Sequence, residues 1–258
     1  MGQCRAARIC RTGLDALLAV TLAPRCAACA AVLDTPLDGP VCGLCWGRVE
    51  SLLPPFCRTC GDPLPSWRVV SVALERCPRC RRGSNLLSAA RAAGNYDGAL
   101  RDILQAFKYD GRRTLARRLA GMMRAAGSEV LRDAHYVVPV PLHPWRRLHR
   151  GFNQARELAI HLDVPVLHAL WRRRVTAPQT GLHAAARRRN VGGAFTLSPF
   201  MRRRSRQACF VNRVVVLVDD VRTTGATLNA CAAVLLTAGA REVRGLTVAR
   251  AAAPGTGS

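Results

Sequence analysis

The chain has 258 residues, of which 49 % are hydrophobic and 5 % aromatic, so it can bury a core built mainly from Ala, Val and Leu. Its formal net charge is +23 at pH 7, which favours polyanionic partners such as small phosphates, nucleic acid or anionic lipid. No run reaches the ~20 apolar residues that cross a bilayer, which excludes a membrane-spanning protein.

The first 25 residues predict a leader with one short helix. Several Arg residues precede the apolar run 14–23, so this segment is superficially similar to a secretory signal peptide. However, Asp15 interrupts the run, and cleavage near Ala27 would destroy the first pair of cysteines. We therefore predict that residues 1–25 stay on the protein and that the protein is cytoplasmic.

Eight of the 12 cysteines form four Cys-x-x-Cys pairs within residues 26–83. This spacing is typical of zinc knuckles. The segment has little periodic hydrophobicity, and a structural zinc ion can contribute ~10–16 kcal/mol of apparent binding energy to such a module. We predict two structural zinc ions held by Cys26, Cys29, Cys42, Cys45, Cys57, Cys60, Cys77 and Cys80.

Two questions about these cysteines stay open in the sequence. Sequential combination of the pairs gives two zinc ribbons, whereas interleaved combination gives a cross-braced module. A redox role or an iron–sulfur cluster is the alternative to zinc for the same spacing.

Residues 84–250 change to a pattern in which strands alternate with helices, and this pattern favours a mostly parallel sheet flanked by helices. The predicted strands are 91–96, 136–140, 164–167, 214–218 and 243–249. The predicted helices are 98–109, 114–126, 152–162 and 226–238. Residues 172–195 lack periodicity and predict an Arg-rich loop with mobile parts, and residues 251–258 predict a disordered tail.

The sharpest functional pattern runs from Val214 to Thr227. A buried strand ends at Asp219 and Asp220, a short Thr- and Gly-containing loop follows, and a helix begins. Backbone N–H groups at a helix start bind anions, whereas paired carboxylates can accept hydrogen bonds from a diol. Together these groups predict a site for a ribose 5-phosphate group. Helix capping by Thr223 beside a solvated turn would explain only one or two of these residues.

The run Asp-Asp-Val-Arg-Thr-Thr-Gly-Ala-Thr at 219–227 resembles the motif with which type I phosphoribosyltransferases bind phosphoribosyl pyrophosphate (PRPP). Other stretches resemble the ComF group of that superfamily, which is linked to DNA uptake and competence. They are the runs at 109–111, 139–143, 150–155, 179–182 and 187–195, together with the Cys-rich module. The resemblance covers roughly residues 14–250.

This resemblance implies a type I phosphoribosyltransferase-like α/β fold, preceded by a small double zinc ribbon, with PRPP at the carboxyl ends of the strands. Asp219 and Asp220 would hold the ribose hydroxyls, and magnesium would arrive with PRPP. The 5-phosphate would contact Thr223, Thr224, Gly225, Ala226 and Thr227. The candidates for contacts with pyrophosphate, on the loop after Val140 and on an Arg-rich hood, are His143, Arg146, Arg150, Arg187 and Asn190.

Three functions fit these residues. The first is a phosphoribosyltransferase whose acceptor the sequence does not name. The second is a nonenzymatic protein that binds single-stranded nucleic acid and uses the PRPP pocket as a sensor. The third is an adaptor that docks a helicase-like partner in a DNA-uptake complex. The net charge and the zinc module favour the second function. Arg clusters at 146–150, 172–174, 187–189 and 202–206 predict binding of single-stranded nucleic acid with little sequence preference.

Overall fold

The computed structural model describes residues 2–64, 75–83, 85–142, 151–173, 193–201 and 209–251. The strands are β1 (Ala90–Asn95), β2 (Tyr136–Pro139), β3 (Leu170–Arg172), β4 (Phe195–Leu197), β5 (Val214–Arg222) and β6 (Glu242–Arg250). The helices are α1 (Gly2–Leu22), α2 (Gly43–Gly47), α3 (Pro78–Arg82), α4 (Gly98–Tyr109), α5 (Leu115–Ala126), α6 (Ser128–Leu131), α7 (Gln154–Ala159) and α8 (Ala226–Thr237). A 3-10 turn occupies Pro36–Asp38.

The main sheet has the strand order β1-β6-β5-β2, and all three pairings are parallel. Strand β5 is central, and its side chains alternate between two cores. Val216 and Val218 pack with the cluster formed by α4, α5 and α7, whereas Val215 and Leu217 pack with the cluster that includes α8. The prediction of a mostly parallel sheet flanked by helices is confirmed.

Strand β5 is longer than predicted, because it continues beyond Val218 to Arg222. The neighbouring strand β6 runs alongside this extension, and Asp219 and Arg222 pair with Thr247 and Arg250. The ladder therefore satisfies backbone groups that the sequence pattern assigned to a loop. As a result the two neighbouring aspartates lie within the strand, and their side chains leave it on opposite faces.

The predicted strand at 164–167 is wrong. It is reduced to one parallel bridge between Val166 and Val137. Pro165 accepts a hydrogen bond from the Val137 N–H but has no N–H to donate, so the ladder cannot extend on that side. On the other side the next donor would be Pro139, which also lacks an N–H. The sequence analysis also missed the short strands β3 and β4, which pair antiparallel and overlap the predicted loop at 172–195 only at its two end residues. Residues 174–192 of that loop lie outside the described residues. Strands of three residues are too short to show an alternating pattern.

Helix α7 is shorter than the predicted helix at 152–162, and its two ends have local causes. The Asn153 side chain accepts a hydrogen bond from the Ala155 N–H at 3.0 Å, which caps the helix start. Beyond the helix end, Asp163 adopts a left-handed backbone conformation with φ of +56°.

Within the described residues, no helix is both long enough and apolar enough to cross a membrane.

The Cys-rich segment packs directly on the α/β part of the chain. Val41, Cys45 and Trp46 belong to the same buried cluster as α4 and α5. Further along, the Leu52 N–H donates to the Ala93 carbonyl on strand β1. The two parts therefore share an apolar core and backbone hydrogen bonds, although the boundary at residue 83 stays a prediction.

A close backbone contact between the two parts lies at Gly61. This residue has a φ of +69°, and a Cβ atom there would lie 2.2 Å from the Ala90 carbonyl oxygen. We expect Gly61→Ala to lower the free energy of unfolding by about 1–3 kcal/mol more than Gly111→Ala, because the added methyl group meets rigid backbone. Gly111 is a matched control, since its φ is +63° and the space around it is open. Urea unfolding of the zinc-loaded variants measures the difference, and equal losses would contradict close docking on β1.

Candidate functional site

A cavity of about 660 Å³ lies at the carboxyl ends of the parallel strands. Its wall is formed by the end of β5, the starts of α7 and α8, the last turn of α4, and Pro141 and Leu142 after β2. Open α/β sheets bind ligands at this edge. The cavity therefore lies where the sequence pattern placed the phosphate and ribose site.

The two aspartates of β5 are held by the backbone that follows them. Asp219 Oδ1 accepts the Asp220 N–H at 2.9 Å, and Asp220 Oδ1 accepts the Val221 N–H at 2.6 Å. Burial raises the pKa of Asp219 to about 7, and the neighbouring charge of Asp220 acts in the same direction. Lys108 and Arg172 oppose this shift. Asp219 therefore titrates close to neutral pH.

Lys108 is a site residue that the sequence analysis missed. Its Nζ lies 3.0 Å from Asp220 Oδ2 and 5.4 Å from the centroid of the Tyr96 ring. Burial lowers the pKa of Lys108, but the carboxylate of Asp220 outweighs it and the pKa is raised, so the ammonium stays charged. The sequence does contain a signal for this residue, because Lys108 is the only lysine among 39 Lys and Arg residues and lies in the last turn of an amphipathic helix.

Arg172 lies in a different setting from the one predicted. The sequence placed it in an exposed Arg cluster at 172–174, but it ends β3, is buried, and lines the cavity. Its guanidinium lies 5.4 Å from the centroid of the Phe195 ring on β4. Pairing of β3 with β4 thus carries this cation to the site, and it is not available as a surface contact for nucleic acid.

The predicted phosphate loop leads into α8. Gly225 is the N-cap residue with a left-handed φ of +77°, and Thr224 Oγ1 accepts the Ala226 N–H at 3.4 Å. The first N–H groups of this 12-residue helix have no intrahelical acceptor. Thr223, Gly225, Ala226 and Thr227 line the main cavity, whereas Thr224 lines a second cavity behind the loop.

The structure thus brings six of the seven predicted PRPP contacts to one cavity, namely Asp219, Asp220, Thr223, Gly225, Ala226 and Thr227. The candidate pyrophosphate and hood residues His143, Arg146, Arg150, Arg187 and Asn190 lie outside the described residues. The same is true of the clusters 146–150, 187–189 and 202–206.

The eight paired cysteines form two groups of four, and the pairs combine sequentially. Cys26, Cys29, Cys42 and Cys45 make the first group, and Cys57, Cys60, Cys77 and Cys80 the second. Within each group all sulfur atoms lie within 4.8 Å of one another. This arrangement excludes the interleaved combination that the sequence left open.

The sulfur geometry of these groups fits zinc. The Sγ atoms of Cys26 and Cys45 are 3.9 Å apart, and those of Cys60 and Cys77 are 3.6 Å apart. A tetrahedron with Zn–S bonds of ~2.3 Å has edges of ~3.8 Å. The pKa of Cys57 is lowered, chiefly because the Cys60 thiol donates a hydrogen bond to it. Four thiolates fill the coordination of zinc, so each group suits a structural ion.

Comparison with known proteins agrees with this architecture. Residues 17–81 match the double zinc ribbon domain family. Competence protein F of Haemophilus influenzae is 32 % identical and aligns with 88 % of this chain and 97 % of its own length. Competence protein ComFC of Bacillus subtilis is 31 % identical, over 83 % of this chain and 85 % of its own. DNA utilization protein YhgH of Escherichia coli is 30 % identical, over 79 % of this chain and 87 % of its own length.

The parallel sheet flanked by helices and the Cys-rich module together define an α/β protein whose sheet is preceded by a double zinc ribbon. Within that class, the similarity to the two competence proteins along most of the chain identifies the family. The chain belongs to the ComF family.

We expect metal analysis of the purified protein to find about two zinc ions per chain, because each sulfur group satisfies one tetrahedral ion. Cys26→Ser and Cys57→Ser should each remove one ion, since the groups share no ligand. Cys209→Ser is the control that should keep both, because Cys209 belongs to neither group. Iron in place of zinc, or loss of both ions from each single variant, would contradict two independent zinc sites.

Proposed function

We propose that this protein binds PRPP, together with magnesium, in the cavity at the end of β5. One observation carries the proposal: carboxylates suited to a diol and a helix start suited to a phosphate lie in the same cavity. A ribose 5-phosphate group presents these two features at its two ends. The cavity volume of about 660 Å³ is within the range of small-molecule sites.

On the ribose side, the hydroxyl groups donate hydrogen bonds to Asp219 and Asp220. The backbone N–H groups that bind one oxygen of each carboxylate hold the carboxylates in place before the ligand arrives. Such preorganised charge stabilises positive character at the ribose carbon without further rearrangement. The Lys108 ammonium pairs with Asp220 at 3.0 Å and orients that carboxylate.

On the phosphate side, the N–H groups at the start of α8 and the hydroxyls of Thr223 and Thr227 hold the 5-phosphate. The positive end of the helix dipole adds to this attraction. Arg172 and Lys108 place two more cations on the cavity wall, which favours the pyrophosphate part of the ligand. Magnesium bound to PRPP supplies further neutralisation of the diphosphate.

The reaction that suits this arrangement is phosphoribosyl transfer. The bond between the ribose C1 and the pyrophosphate oxygen breaks, pyrophosphate leaves with the electron pair, and an acceptor nucleophile bonds to C1. Carboxylates near the ribose stabilise the developing cation, and cations around the diphosphate stabilise the leaving group. Pyrophosphate release, screened with bases, nucleotides and single-stranded DNA as acceptors, tests the transfer step.

A second candidate function is handling of single-stranded DNA in DNA uptake, with the PRPP pocket as a sensor or the zinc ribbons as a docking module for a helicase-like partner. The relatives are named as competence and DNA utilization proteins. This function is supported by a set of exposed Arg residues on α5 and just before it. They follow Tyr109, which lines the cavity and is 66 % exposed. These residues are Arg112, Arg113, Arg117 and Arg118.

For the PRPP site, we expect the double variant Asp219→Asn, Asp220→Asn to bind PRPP at least tenfold more weakly than the wild type. The change keeps the side-chain shape but removes hydrogen bonds to charged acceptors, which are worth ~1.5–3 kcal/mol each. Titration calorimetry measures the affinity in the presence of magnesium. Asp163→Asn is the matched control, because its carboxylate is 80 % exposed and pairs with Arg124 away from the cavity. Unchanged affinity in the double variant would show that the pair is structural.

For the second function, we expect single-stranded DNA to bind with little sequence preference and with steep salt dependence. Each phosphate contact contributes a slope of about −0.7 to the plot of log affinity against log salt. Arg117→Gln combined with Arg118→Gln should reduce that slope by about two contacts. No binding at low salt would exclude this function. If DNA binds, competition by PRPP places the strand over the cavity, and independent binding places it on the zinc ribbons or outer Arg residues.

A further inference from the structure

Asp62 connects the second group of cysteines to the phosphate loop. It follows Cys60 by two positions, and its carbonyl accepts the Cys57 N–H at 2.8 Å, so its backbone is part of the knuckle. Its carboxylate lies among three guanidinium groups. The distances are 2.7 Å from Oδ1 to Arg222, 2.8 Å from Oδ2 to Arg79 and 3.5 Å from Oδ1 to Arg250.

Arg222 links Asp62 to the phosphate loop. It lies between the acid pair and Thr223, and its side chain is only 3 % exposed. A buried guanidinium needs a compensating charge, and among the described residues its ion-pair partner is Asp62. Its carbonyl accepts the Ala251 N–H at 2.8 Å, which ties the same residue to the end of β6. The Arg222 side chain is therefore held by Asp62, and its backbone by the end of β6.

The space between the knuckle and the loop is small. A cavity of about 370 Å³ is lined by Cys60 and Cys80 on one side and by Thr224 and Gly225 on the other. On the far side of the same loop is the main cavity, which Gly225 also lines. The second sulfur group thus lies directly behind the N–H groups that face the proposed ligand phosphate.

The first sulfur group has no equivalent connection among the described residues. It packs against α4 and α5 through Trp46, and Asp38, one of the two acids between its knuckles, pairs with Arg11 on α1 at 2.7 Å. That ion pair is exposed on both sides. Any effect of metal on the phosphate loop should therefore come from the second group alone.

We propose that Asp62 is a positioning residue that couples the second four-cysteine site to the phosphate loop. The metal-held knuckle fixes Asp62, Asp62 fixes Arg222, and Arg222 fixes the backbone that presents N–H groups to the ligand. This coupling rests on the proposed PRPP site. Coupling between two binding sites is reciprocal, so bound PRPP should in turn retain the metal at the second group.

The first test compares Asp62→Asn with Asp38→Asn, the same substitution in the other ribbon. We expect both variants to keep two zinc ions, because neither residue is a ligand. PRPP affinity should fall roughly tenfold in Asp62→Asn, the loss of about one charge-assisted hydrogen bond, and stay at the wild-type value in Asp38→Asn. If Asp62→Asn loses zinc, Arg222→Met tests the same link from the loop side, with the same expected loss of affinity at full zinc content.

The second test measures zinc release from the intact wild-type protein into a coloured chelator, with and without PRPP. We expect PRPP to slow the release of one of the two ions, and this protection to be lost in Asp62→Asn. Wild-type PRPP affinity in a zinc-loaded Asp62→Asn or Arg222→Met variant, or equal release rates with and without PRPP, would overturn the coupling and leave the PRPP site standing. Failure of the wild type to bind PRPP would overturn the proposed function and the coupling together.

Discussion

The pairing of β5 with β6 beyond the apolar core is the constraint on which the site depends. The buried apolar residues of β5 end at Val218, yet the ladder continues to Arg222 because β6 supplies backbone partners up to Arg250. This extension holds the acid pair in extended backbone and sends the two carboxylates to opposite faces. Asp220 thereby meets Lys108 of α4, and Asp219 lies on the side of α8.

The electrostatics of the site follow from the placement of the two carboxylates on opposite faces of β5. A chain with a net charge of +23 has no shortage of cations, but only a few of them are buried near the cavity. Lys108 neutralises one carboxylate, and burial raises the pKa of the other to about 7. The cavity wall thus combines two acids, one of them with its pKa raised to about 7, and the three cations Lys108, Arg172 and Arg222. This combination suits a ligand with a diol at one end and phosphates at the other.

Much of this arrangement could be predicted from the sequence, and the misses share a cause. Local patterns, such as the Cys-x-x-Cys pairs and the run from Val214 to Thr227, predicted the parallel sheet, two four-sulfur sites and six of the residues that line the cavity. Contacts between residues distant in sequence were not visible. Lys108 reaches Asp220 across 112 positions only after α4 packs on the sheet, and Asp62 reaches Arg222 across 160. Pairing of β3 with β4 likewise depends on tertiary structure and not on periodicity.

The most direct test of the account is a crystal structure of the zinc-loaded protein with PRPP and magnesium bound. The account predicts ribose hydroxyls within hydrogen-bond distance of Asp219 and Asp220, and the 5-phosphate on the N–H groups at the start of α8. The pyrophosphate should lie on the side of Lys108 and Arg172. PRPP bound elsewhere, or bound in this cavity with its ribose turned away from the two aspartates, would contradict it.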